Sequence, residues 1–273
     1  MRGEFVEVGG ARLYYYAAGT RGTGESLLLL HGFPTSSHLW NQVVPLIPPG
    51  HRVVVADLLG LGRSDPPGGR DLSIPAHAGR VLGLMDTLGI ARAAVVGHDI
   101  GGSVALQLAL HEPARVSRLC LVNSAAVDTR PGAVLGAGGL LPVLLRVLPS
   151  SVATSALRSR MRRGYVSPER GSHSIEQYLR PFTNDAGQQA MMSHLSAAKA
   201  PAGGESDAAL SGIRIPVAIL CGSDDPIQPA GVSERLGAAI PGATVEVVPE
   251  ARHFLPEESP QVVARVITEL LSR

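Results

Sequence analysis

Short apolar runs alternating with helix-length stretches are the feature that most constrains this chain. The runs Glu4–Val8, Arg12–Ala17, Ser26–His31, Arg52–Asp57, Ala93–Gly97 and Val116–Asn123 read as strands. Several are apolar almost without a break, as strands become when helices cover both faces of a parallel sheet. Helical patterns fall between them at Trp40–Leu46, Ile74–Leu88 and Ile100–Leu110. The rhythm resumes with a strand at Pro216–Cys221, a helix near Val232–Ile240, a strand at Thr244–Val248 and a closing helix at Pro260–Leu271. Strand and helix in alternation specify an α/β fold with an open, mostly parallel, doubly wound sheet.

The stretch 127–210 breaks that rhythm. It has no convincing strand, carries the arginine run Arg158, Arg160, Arg162 and Arg163, and then shows helix-like segments at Ile175–Leu179 and Gln188–Ala198. An insertion of this length is too long for a plain loop. It is expected to form a helical cap after the sixth strand, over the carboxyl edge where open α/β sheets bind ligands. Residues 1–126 and 211–273 would then form the core. The arginine run reads as a solvated helix face.

Composition narrows the function classes. The 273 residues carry 24 Lys+Arg and 23 Asp+Glu, a formal net charge of +1, and 45% hydrophobic residues. That supplies a sizeable core, and near-neutral charge argues against nucleic acid as the main partner. Cys120 and Cys221 lie in apolar runs, which suits buried reduced thiols. Met1-Arg2-Gly3-Glu4 leads straight into an alternating pattern without an apolar signal core. The longest lipophilic stretch, Val134–Leu148, is interrupted by Pro142, Arg146 and glycines, so no membrane span is expected. A cytoplasmic location is the expectation.

Four pieces carry chemistry. Gly97-His98-Asp99-Ile100-Gly101-Gly102 follows an apolar strand and opens a helical pattern, the context of a nucleophile elbow. The glycines permit a tight bend, and the residue held at its tip is Asp99. The competing reading of Asp99 is an ordinary helix N-cap. His31-Gly32-Phe33-Pro34, at the tip of another strand, can bring the Phe33 N–H beside the Ile100 N–H as a two-donor anion hole. Gly222-Ser223-Asp224-Asp225-Pro226 and Ala251-Arg252-His253-Phe254 each follow a strand and supply an acid and a base. Nucleophile, acid and histidine occur in the chain order that this elbow requires. Asp57-Leu58-Leu59-Gly60-Leu61-Gly62 reads as a strand end and a glycine turn, short of a dinucleotide fingerprint. There is no CxxC pair or HExxH spacing either, and no cofactor or metal is expected.

On these motifs the chain resembles the α/β-hydrolase-fold proteins over nearly its full length. HGFP followed by GHDIGG is similar to the epoxide hydrolases and the haloalkane or haloacid dehalogenases, which use an aspartate nucleophile. The resemblance implies Asp99 as nucleophile, His253 as base, Asp225 as the orienting acid with Asp224 beside it as rival, and the Phe33 and Ile100 N–H groups as oxyanion donors.

An aspartate at the elbow selects the reaction. Attack on an ester carbonyl would give an anhydride, uphill and unproductive. Attack on an sp³ carbon bearing a leaving group gives a stable alkyl ester. Epoxide opening is the favoured expectation. Dehalogenation is the alternative, weakened because Ile100 stands where such families place a halide-holding tryptophan, Phe33 replaces their polar HGxP residue, and Trp40 is the only tryptophan. A ligand-binding member without turnover is a third reading. Epoxide hydrolases also imply cap tyrosines that protonate the leaving oxygen; Tyr165 and Tyr178 are the candidates, with His173 and His194 as stand-ins. Leu141, Val143, Leu144, Leu145, Met161, Met191 and Met192 suggest an apolar pocket for a small hydrophobic substrate.

Overall fold

In the computed structural model, residues 3–19, 24–124, 150–197 and 206–273 are described. The apolar runs pair into one eight-stranded sheet. Its strands are β1 (Glu4–Val8), β2 (Ala11–Ala18), β3 (Ser26–Leu30), β4 (Arg52–Ala56), β5 (Ala93–His98), β6 (Val116–Val122), β7 (Val217–Gly222) and β8 (Thr244–Val248). They lie in the order β1-β2-β4-β3-β5-β6-β7-β8. The hairpin β1–β2 joins β4 antiparallel, and every later pairing is parallel. Leu27, Leu28, Leu29 and Leu30 of β3 are each at most 1% exposed. Hiding each leucine from water contributes about 1.5–3 kcal/mol, which explains a run with no polar alternation.

Local signals set the helix boundaries. Helix α1 (Ile74–Thr87) begins at Ser73, whose side chain accepts from the Ala76 N–H, with Pro75 in its first turn. Helix α2 (Ile100–His111) starts directly after Asp99. The helix read at Trp40–Leu46 is instead two 3₁₀ turns, Ser37–Trp40 and Val44–Leu46. Pro45 brings no N–H to an α-helical ladder there, and the side chain of Ser36 caps the first turn. Trp40 is fully buried.

Within 127–210 the described residues form helices and no strand: α3 (Ser150–Arg163), α4 (Pro168–Leu179), α5 (Asp185–Ala197) and α6 (Asp207–Leu210). Val134–Leu148, with Leu141, Val143, Leu144 and Leu145 in it, lies outside the described residues. Met161, Met191 and Met192 are buried. The arginine run does form a helix face, but not a uniformly solvated one. Arg162 and Arg163 are exposed, Arg158 pairs with Glu176 through both of its donors at 2.7 and 3.0 Å, and Arg160 is half-buried.

The remaining helices are α7 (Ala230–Ala239), α8 (Leu255–Glu258) and α9 (Pro260–Leu271). Helix α9 buries Val263, Ala264, Val266, Ile267 and Leu270, the spacing of one helical face. Cys120 and Cys221 are buried free thiols. No described helix is long and apolar enough to cross a membrane.

Candidate active site

The parallel strands all end at one edge, and there the motif residues converge. Leu30 of β3 lies in register with Gly97 of β5, so the HGFP turn and the GHDIGG turn leave the sheet side by side. Asp99 takes φ 51° and ψ −123° at the head of α2. That backbone is unusual for a residue with a side chain, and strain of this kind concentrates at functional positions. It is held from several directions. The Asp99 carbonyl accepts from the Gly102 N–H at 3.0 Å and the Ser124 hydroxyl at 3.2 Å. No side-chain capping bond is made to the helix, so the N-cap reading does not account for this residue.

The approach is close enough that glycine is required at two points. A Cβ on Gly101 would sit 2.4 Å from the His31 carbonyl oxygen, and one on Gly32 would sit 2.4 Å from the Asp99 Cβ. With Gly32 bare, the Phe33 N–H donates to Asp99 Oδ2 at 3.1 Å. The Ile100 N–H acts on the same carboxyl. Burial pushes the Asp99 pKa up, and the positive charge of His253 with these two N–H groups pulls against it, the net shift being upward.

Across the same edge, Asp225 and His253 meet. His253 Nδ1 donates to Asp225 Oδ2 at 2.8 Å, and both residues are at least 95% buried. Asp225 Oδ1 accepts from the N–H groups of Ile227 and Gln228 at 2.7 and 3.0 Å. Burial alone would raise the Asp225 pKa; the His253 charge and these donors outweigh it and hold the carboxyl below its ordinary value. For His253, burial alone would lower the pKa. The charge of Asp225, its hydrogen bond and the charge of Asp99 reverse this, so the imidazole lies above its ordinary value. Asp224, the rival acid, accepts from the Ser223 hydroxyl at 2.9 Å and is exposed, away from His253.

Two residues that the sequence did not single out complete the frame. Asn123, one residue past β6 with φ 45°, donates from Nδ2 to Asp225 Oδ2 at 2.7 Å. An asparagine closing an apolar run was its signal, because asparagine tolerates the left-handed region. His98, next to Asp99, donates from Nε2 to the His253 carbonyl at 2.9 Å. Burial first, then the neighbouring His253, lowers the His98 pKa to about 3.

In comparison with known proteins, residues 25–260 match the alpha/beta hydrolase fold family model. The chain belongs to the alpha/beta hydrolase fold family. Among its relatives is an uncharacterized protein of Mycobacterium tuberculosis (strain ATCC 25618 / H37Rv), 30% identical over 275 residues, 92% of this chain and 75% of the relative. The fluoroacetate dehalogenase of a Burkholderia species is 42% identical over 106 residues, 37% of this chain and 35% of that enzyme. Among solved structures, the enol-lactonase from Burkholderia xenovorans LB400 superposes with a TM-score of 0.84 at 25% identity, covering 99% of this chain and 100% of that one.

One set of sequence candidates in this hydrolase-fold chain has a partner that the sequence did not indicate. Tyr165 and Tyr178 were candidates to face a leaving group beside Asp99. Instead both hydroxyls donate to Glu257 of α8, Tyr165 to Oε2 and Tyr178 to Oε1, the latter at 2.6 Å. A phenol has one proton to donate, and Glu257 takes it in each case. Burial and then the Glu257 charge raise both phenol pKa values well above the ordinary one, which makes them weaker acids. Of the two stand-ins, one is exposed and one is buried. His173 is exposed and bonded to Gln177 at 2.8 Å. His194 packs on Phe33 with ring centroids 5.6 Å apart, and burial, then the His31 charge, lowers its pKa to about 4.

Proposed function

We propose that this chain hydrolyses an apolar epoxide through a covalent ester on Asp99. The observation that carries this reading is a carboxylate at the elbow with one oxygen, Oδ2, already bonded to the Phe33 N–H. That leaves Oδ1 to attack the ring carbon while the carbon–oxygen bond of the ring breaks. In the second step His253, its tautomer fixed by Asp225, takes a proton from water. The water oxygen then adds to the carbonyl carbon of the ester. The oxyanion forms on Oδ2, where the Phe33 and Ile100 N–H groups stand ready. Collapse returns the Asp99 carboxylate and releases a diol, so the net change is addition of one water. The proton set free by ester hydrolysis balances the one that the ring oxygen takes up.

A second reading shares every step but the leaving group. It is an alkyl halide, and similarity to the fluoroacetate dehalogenase over 106 residues favours it. Against it stands Ile100 directly after Asp99.

Intact mass spectrometry of His253→Gln, exposed to a panel of apolar epoxides and alkyl halides, tests both. Without the base the ester accumulates. We expect a mass gain equal to a whole epoxide, absent from the Asp99→Asn, His253→Gln double variant. A gain equal to an alkyl halide less its hydrogen halide moves the assignment to a dehalogenase. No adduct from folded protein overturns the covalent reading and favours a ligand-binding role.

A further inference from the structure

Helix α3 turns one face to a cleft of about 450 Å³ that none of Asp99, Phe33, Ile100, Asp225 or His253 lines. Its walls are Ser155, Arg158, Ser159 and Arg162, with Arg163 at the helix end and Arg252 from the loop that carries His253. Positions 155, 158, 159 and 162 recur at the three- and four-residue spacing of a single helix face. Four guanidinium groups and two hydroxyls thus share one recess, and among the described residues no carboxylate lines it. The whole chain has a net charge of only +1, so this is a local concentration of charge.

Most of the donors there are unspent. Arg158 gives Nε and Nη2 to Glu176 and keeps Nη1. Arg252 gives Nη1 to the carbonyls of Arg163 and Tyr165, at 3.2 and 3.1 Å, and keeps Nε and Nη2. These bonds hold two guanidinium groups at the cleft before any ligand arrives, which lowers the ordering cost of binding. Among the described residues, the side chains of Arg162, Arg163, Ser155 and Ser159 make no hydrogen bond or ion pair, and all four are exposed. Arg158 and Arg162, four apart on the helix, repel each other. An anion in the cleft removes that repulsion.

Charge and size narrow the ligand. With Glu176 counted against Arg158, the lining holds three positive charges. One phosphate group carries only about 1.5 to 2 negative charges near neutral pH, whereas two linked phosphates match the lining. The volume falls within the roughly 300–1,000 Å³ of small-molecule sites, but the walls are cationic rather than apolar. Arginine forks pair with phosphate oxygens two bonds at a time. We propose that this cleft is a second ligand site, which binds the diphosphate group of a small molecule. It adjoins the segment that seats the base: Arg252 precedes His253, whose N–H donates to the Gly164 carbonyl at 2.9 Å.

The test is calorimetric titration of the full chain, without divalent metal, using inorganic diphosphate, inorganic phosphate, ADP and sulfate at matched ionic strength. Saturable one-to-one binding of diphosphate is expected, at least about tenfold tighter than phosphate, because the second phosphate adds charge-assisted bonds. The Arg162→Gln, Arg163→Gln double variant should bind about 10²-fold more weakly. Both side chains are exposed and unpaired, so the fold should survive, and a melting curve checks that it does. ADP binding tighter than diphosphate makes the ligand a nucleotide; equal or weaker binding makes the diphosphate alone the recognised group. Three results overturn the proposal: no binding at millimolar diphosphate, equal binding of sulfate, or unchanged affinity in the double variant. None of them bears on the ester at Asp99, which the mass measurement on His253→Gln reads separately.

Discussion

At the sheet edge Asp99 is placed by backbone: the Phe33 N–H, the elbow turn and the bare Cα atoms of Gly32 and Gly101. Tyr165 and Tyr178, by contrast, are placed by one carboxylate, Glu257, which accepts a hydrogen bond from each phenol. The two walls of the site differ in what would move them. Backbone placement is set by strand register and tolerates no added atoms. Side-chain placement depends on a few polar pairs, and a single substitution can redirect it. The arrangement at the sheet edge is therefore fixed more firmly than that of the two tyrosines.

The largest expected effect lies within the sheet edge. Asp225→Asn removes the charge that raises the His253 pKa and lets the ring settle in the wrong tautomer. Ester hydrolysis should slow by about 10⁴-fold, the size of loss typical when an orienting acid is amidated. His253 acts as base only when neutral, so hydrolysis in the unmodified chain rises with pH through a pKa above the ordinary histidine value of about 6.5. In Asp225→Asn that limb should move to lower pH. Decay of the preformed ester, followed across pH, checks both. A limb unmoved by the substitution would mean that Asp225 is not what tunes His253.

A smaller effect tests the backbone wall directly. In Gly101→Ala the new Cβ would lie 2.4 Å from the His31 oxygen and 2.6 Å from the Leu30 oxygen. Neither is a flexible side-chain end, so the elbow and β3 must separate. A stability loss of roughly 1–3 kcal/mol is expected, together with a loss of about 10²-fold in adduct formation from misplacement. Thermal melts and single-turnover rates report the two. Full activity in Gly101→Ala would erase the contrast between the walls.

The smallest effect is expected on the other wall. Glu257→Gln retains one acceptor oxygen for the two phenols, so melting should register a loss of about 1 kcal/mol. Adduct formation should keep its rate, because the phenols do not serve the displacement. A large rate loss would return Tyr165 or Tyr178 to the reacting atoms.

The same contrast explains what could be read from the sequence. Strands were legible because apolar runs such as Leu27–Leu30 are buried on both faces, and the elbow because glycines flank Asp99 at fixed spacing. Strand ends and chain order pointed to His253 and to an acid at Asp224 or Asp225; the family resemblance chose Asp225. The 3₁₀ turns around Pro45 were read as a helix because Trp40, Val43, Val44 and Ile47 still fall at helical spacing. Helix α3 was visible only as an arginine run, since among its residues Ala153, Thr154 and Met161 alone are buried. The fate of the tyrosines was not legible at all. Glu257 lies 92 residues from Tyr165 and 79 from Tyr178, and no local pattern records which carboxylate a distant phenol will find.

The bond from His98 to the His253 carbonyl ties the two halves of the site mechanically. His98 immediately precedes Asp99, so Asp99 and the His253 loop are tied to adjacent residues at the tip of β5. With its pKa lowered to about 3, His98 stays uncharged through any pH at which His253 titrates. The strut that fixes the distance thus takes no part in the proton traffic it supports. A fluctuation that tilts the elbow carries the base along with it, so the gap between the two reacting groups varies less than the position of either.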